Sequence, residues 1–176
     1  MRGSRTAPRA ARTAGLLASS LVVLGVAGEA KGTASLAIER MLYAAGRCDH
    51  LIVAGQDRTA ACRPRILNAT FKNGHLGFTF LFGVRSLTFD GYGPDQVKLA
   101  PNNVRQPITT VLYLDGHDAL RGAPATAMPA NGSCAYANPF LGKPARIVCT
   151  TTTRGLGVFA GSFTTDGAAP REIPTR

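Results

Sequence analysis

The sequence predicts an all-β fold, an antiparallel β-sandwich or small barrel of about nine short strands stapled by two disulfides. Three observations carry this. Gly 20 and Pro 11 in 176 residues are high for a helical protein and normal for strands joined by turns. Short stretches alternate apolar and polar residues between clusters of Gly, Pro, Asn and Asp, and no segment of helical period is long enough for a βαβ unit. Four cysteines fall into two pairs, each spaced evenly about a turn signal.

The N-terminal stretch reads as an export signal. Arg2, Arg5, Arg9 and Arg12 precede any acidic residue, and the run Ala14 to Gly28 that follows is uncharged and mostly apolar. A basic region, a short apolar region and small residues are the layout of a secretory signal peptide, here residues 1–30. Cleavage after Ala27 or Ala30 fits the small-residue rule, and Ala30 fits it better. No apolar run reaches the roughly 18 residues that a membrane-spanning helix needs. Without residues 1–30 the chain keeps 16 basic and 9 acidic residues, a net charge of +7. Residues 31–165 are expected to form one β-rich domain and residues 166–176 a flexible tail. Arg greatly outnumbers Lys, and Ala and Gly abound, a bias of GC-rich bacterial coding. The expected destination is therefore a bacterial periplasm or the medium.

In an exported chain four cysteines imply two disulfides. Cys48 and Cys62 flank Gly55, and Cys134 and Cys149 flank Leu141-Gly142. Residues directly opposed on antiparallel strands lie within disulfide reach, so the pairing Cys48–Cys62 and Cys134–Cys149 follows. A zinc site is disfavoured, because no C-x-x-C or H-x₃-H spacing occurs.

Along the chain, Leu36 to Tyr43 reads as a strand or a short helix. Leu51–Ala54 and Thr59–Cys62 form a first stapled hairpin. The clearest local signal is Asn73-Gly74, a dipeptide suited to a two-residue turn with positive φ at both positions. Counting outward sets Phe71 opposite Leu76, Ala69 opposite Phe78, and Leu67 opposite Phe80, all on one apolar face. Ser86–Asp90 and Gln96–Leu99 follow as strands, and Ala100–Gln106 as loop. Ile108–Leu114 is apolar on both faces, as a central strand is. His117–Asn131 is rich in Gly, Ala and Pro and reads as loop. Ser133–Ala137, Ala145–Thr152 and Gly157–Thr164 close the fold as consecutive strands.

Chemistry is sparse. Asp115-Gly116-His117-Asp118 is the densest polar cluster, either an acid–base or metal site or a turn after a strand. His50 and His75 are isolated, and a disulfide-bonded Cys48 cannot act as a nucleophile beside His50. No nucleophile elbow, metalloprotease, phosphate-loop or dinucleotide motif is present, and no cofactor is implied. Scattered basic residues, no Trp and only four Tyr argue against nucleic acid. Arg63 and Arg65 are the one close basic pair, and an extended chain puts both on one side, where they would grip an anionic envelope or extracellular polymer. The expectation is a non-catalytic exported domain that binds a partner or serves the envelope. The alternatives are a small secreted hydrolase using Asp115, His117 or Asp118, and a periplasmic enzyme inhibitor.

Overall fold

A computed structural model of the chain describes residues 37–174, so the expected signal, residues 1–30, lies outside the described residues. Eleven strands form one antiparallel sheet: β1 (Ile38–Val53), β2 (Gln56–Asp57), β3 (Cys62–Phe71), β4 (His75–Phe82), β5 (Arg85–Tyr92), β6 (Val97–Ala100), β7 (Asn103–Asp115), β8 (Thr126–Ala137), β9 (Arg146–Thr153), β10 (Gly157–Thr165) and β11 (Arg171–Ile173). Eight of them, β1, β3, β4, β5, β7, β8, β9 and β10, pair each with the next, and β10 returns to β1. The architecture is a closed up-and-down barrel rather than a sandwich. β2, β6 and β11 attach outside this ring.

Closure depends on the length of β1. Its first half, Ile38 to Ala45, pairs with β3, and its second half, Gly46 to Ile52, pairs with β10. This stagger is what strand tilt imposes on a closed barrel. Within the expected Leu36–Tyr43 stretch, Ile38 to Tyr43 is thus strand, not helix, and Leu36 lies outside the described residues. β11 pairs with Met41–Tyr43 in that first half, so part of the expected flexible tail is held as a strand. Three register pairs anchor it.

The inward positions carry the core. Phe80, Phe89, Phe159, Phe163, Leu51, Leu87, Ile108 and Val111 are fully buried across the middle of the barrel. Each such side chain contributes about 1.5–3 kcal/mol by leaving water. Gly161 belongs to this layer for a steric reason: a Cβ there would stand 2.6 Å from the ring of Phe80. Outward positions include the exposed Arg65, Arg105, Thr150 and Thr152. Apolar inside and polar outside is the reverse of the alternation a lipid-facing barrel shows. Among the described residues no helix is long and apolar enough to cross a membrane.

The expected disulfides are both present, Cys48–Cys62 and Cys134–Cys149, with no free cysteine. Cys134 and Cys149 are directly paired residues of β8 and β9 that point into the core. Cys48 and Cys62 continue the β1–β3 register past its last hydrogen-bonded pairs. Structural disulfides belong to an oxidising, extracytoplasmic compartment.

The β3–β4 hairpin corrects the expected register by one residue. Thr70 faces Leu76, Asn68 faces Phe78 and Ile66 faces Phe80. The cause is the turn. Gly74 N–H donates to Phe71 O at 2.9 Å, Gly74 takes φ of 84°, and Asn73 accepts from His75 N–H through Oδ1 at 3.2 Å. That is a three-residue loop, a type I turn closed by a left-handed glycine, rather than the two-residue turn. One added loop residue reverses the face of β3. Ile66, Asn68 and Thr70 share the inward side of β4, while Leu67, Ala69 and Phe71 face outward with Gly77 and Thr79.

Two stretches expected as loop are ordered. β7 begins at Asn103, inside the expected Ala100–Gln106 loop, because β6 folds back on it and β8 pairs along it. The expected loop His117–Asn131 holds the helix α1 (Gly116–Leu120) and the first half of β8.

Candidate functional site

The sequence singled out Asp115, His117 and Asp118, and the structure assigns the acidic pair local tasks. Asp115 ends β7 and caps α1: its Oδ1 accepts from His117 N–H at 3.0 Å and its Oδ2 from Arg85 Nε at 2.7 Å. The hydrogen bond from the His117 backbone, with the Arg85 guanidinium beside it, holds the Asp115 carboxyl below the usual range. Asp118 pairs with Arg121 one turn on, at 2.8 Å. The His117 ring takes part in neither set of bonds. A carboxylate with both oxygens engaged at a helix start is a cap, and among the described residues none of the cavities is lined by Asp115, His117 or Asp118. Among the described residues no group of His, Cys, Asp and Glu is arranged to hold a metal ion.

Arg63 and Arg65 do project to one side, the outward face of β3. Arg63 spends its guanidinium on Gly83 O, with Nε at 3.1 Å and Nη2 at 2.5 Å, while Arg65 lies over the Tyr43 ring at 6.0 Å. The pair is thus split between a backbone contact and an aromatic face.

The feature the sequence did not single out is a cavity of about 310 Å³ in the end of the barrel where β1, β4 and β7 begin. Its wall is built from inward residues near the strand ends: Leu42 of β1, Ile66 of β3, Leu76 and Phe78 of β4, and Ile147 of β9. The core phenylalanines block the barrel below it. The Phe78 and Tyr136 rings meet edge to face with centroids 4.8 Å apart. The β6–β7 hairpin and the loop after β8 form the rim, joined where Asn138 N–H donates to Asn102 O at 2.9 Å. Beneath the rim, fully buried Gln106 donates to Leu76 O at 2.7 Å and accepts from Gln96 at 3.2 Å, tying the rim segment to the barrel wall.

Polar groups in this cavity are few. Tyr136 is one residue from the end of β8; its hydroxyl makes no hydrogen bond among the described residues, and burial pushes its pKa up. Asn68 donates to Gly77 O at 3.2 Å and leaves its amide oxygen free on the same terms. Lys98 on the rim is the one cation in the lining, which contains no Asp or Glu. Exposed Val97, Leu99, Phe140 and Leu141 stand on the two rim segments.

The opposite end has a hollow of about 460 Å³ over Phe82, Tyr113 and Phe159, larger in volume but a wider, shallower dish. Its rim arginines are occupied: Arg58 bonds Gln56, and Arg85 bonds Asp115.

Fold and site together define a class, an eight-stranded up-and-down barrel with a deep apolar cavity at one end. No protein-family model, curated protein or solved structure matches the chain.

Proposed function

We propose that the protein is an exported, non-catalytic binding protein of a bacterial periplasm or the medium, and that it holds a small, mostly apolar molecule in the end cavity of its barrel. The cavity itself carries the reading. Protein interiors pack to crystal-like density with few voids larger than a water molecule, so about 310 Å³ of apolar space opening to solvent is a departure that needs an occupant. Eight-stranded barrels are just wide enough either to fill with side chains or to keep one small ligand, and here the phenylalanine layer fills the middle and leaves this end open. Concave, largely apolar sites with a few placed polar groups are the general form of small-molecule sites. The two disulfides and the basic, then apolar, N-terminal stretch support export.

The test uses N-phenyl-1-naphthylamine, a neutral apolar fluorophore. The protein should bind it saturably with one site, and Ala44→Phe, which fills the cavity from β1, should remove that binding while thermal unfolding stays cooperative. Unsaturable binding, or binding unchanged in Ala44→Phe, would overturn the reading.

A further inference from the structure

We propose that the natural occupant is a free, single-chain amphiphile with an anionic head, of the chemical class of a medium-chain carboxylate; this deepens the cavity reading and rests on it. The lining runs from barrel wall to rim. Ile66, Phe78 and Ile147 stand on the barrel strands, with Asn68 and Tyr136 as polar neighbours at their level, whereas Lys98, Asn102 and Asn103 stand on the β6–β7 hairpin at the rim. A ligand matching this arrangement enters tail first and leaves a polar group at the mouth.

The sign of that group follows from the charges present. Lys98 is the sole cation of the lining and has no ion pair among the described residues, and no carboxylate faces the cavity. A cationic head would meet an ammonium of like charge with no compensating acid. A neutral hydroxyl would meet the amides but leave Lys98 unused. An anionic head gains a charge-assisted hydrogen bond from Lys98 Nζ, along with donors from the Asn102 and Asn103 amides and the Tyr136 hydroxyl. The volume suits one chain, not the two tails of a bilayer phospholipid.

The experiment is calorimetric titration of the purified protein, at pH 8 and low salt, with decanoate, decanol and decyltrimethylammonium. Decanoate should bind more tightly than decanol by about two- to fivefold, the range an exposed charge contact supplies. Decyltrimethylammonium should bind most weakly. Lys98→Gln should bring decanoate down to the level of decanol. Equal affinity for decanoate and decanol in the parent protein, or a preference that survives Lys98→Gln, would overturn the anionic head and leave the cavity reading standing. Binding of none of the three would overturn both. Sedimentation with phosphatidylglycerol vesicles in a protein that ignores free decanoate would overturn the single-chain ligand in favour of a membrane surface.

Discussion

Among the described residues Asp90 is the one buried ionisable acid or base, and it lies outside the barrel core. It is on the outward side of β5, opposite Gly77, yet only 5% exposed. Its Oδ2 meets His75 Nδ1 at 2.7 Å, while Oδ1 is buried with no partner among the described residues. Burial pushes the carboxyl up from its ordinary value of 3.8, and the hydrogen bond and charge of His75 offset only part of that. The folded state therefore holds this proton more tightly than the unfolded chain does. Its contribution is complete below the ordinary value and is lost as pH rises through the raised folded value, so stability falls over that interval. Asp90→Asn removes the titration. In urea unfolding at a series of pH values from 3 to 7, the variant should gain on the parent as pH rises above about 4. Parallel curves across the whole range would show that Asp90 is not the group responsible.

For single elements, the β3–β4 hairpin shows how a correct local signal yields a wrong face. Alternation in β4 is unambiguous: Leu76, Phe78 and Phe80 point inward as expected, and Phe82 continues the same face. β3 is apolar on both sides, with Ile66 on one and Leu67, Ala69 and Phe71 on the other, so its pattern does not choose. Loop length chose, through Gly74. Ile66, 2% exposed and packed in the core, should cost about 2–5 kcal/mol on replacement by Ala. Leu67, half-buried on the outward face, should cost less than about half as much. Equilibrium unfolding of Ile66→Ala and Leu67→Ala decides it, and the reverse order of costs would restore the two-residue turn.

The whole barrel protects its two disulfides unequally. Cys134 and Cys149 are both 0% exposed inside the closed ring, whereas Cys48 and Cys62 sit partly buried where β1 and β3 separate. A thiolate attacks only a sulfur that it can reach. Under dithiothreitol without denaturant, mass spectrometry of alkylated protein should show Cys48–Cys62 opening first. Cys134–Cys149 should open only at the rate of global unfolding, because reaching it means parting β8 from β9 within the ring. Simultaneous loss of both bridges in native buffer would mean that the barrel opens locally at β8–β9.

The division between local and tertiary information follows from these cases. The all-β class, the inward face of β4 and the pairing of the cysteines were legible in the sequence, because alternation, turn residues and symmetric spacing act within a few residues of one another. Closure was not legible: Gly46 meets Thr165 across most of the chain, and nothing local to either records the stagger that joins them. The cavity depends on that closure. Leu42, Asn68, Phe78, Lys98, Tyr136 and Ile147 come from six strands, and nothing local to any of them marks a shared cavity until the ring brings them together. The same holds for Asp115, whose cluster looked chemical in one dimension and became a cap once Arg85 of the neighbouring strand reached its second oxygen. Sequence alone determined what kinds of strand this chain makes, since hydrophobic period and turn chemistry are local. Tertiary structure decided which faces enclose space and which polar groups remain free in it, since both depend on long-range register that a single loop residue can shift.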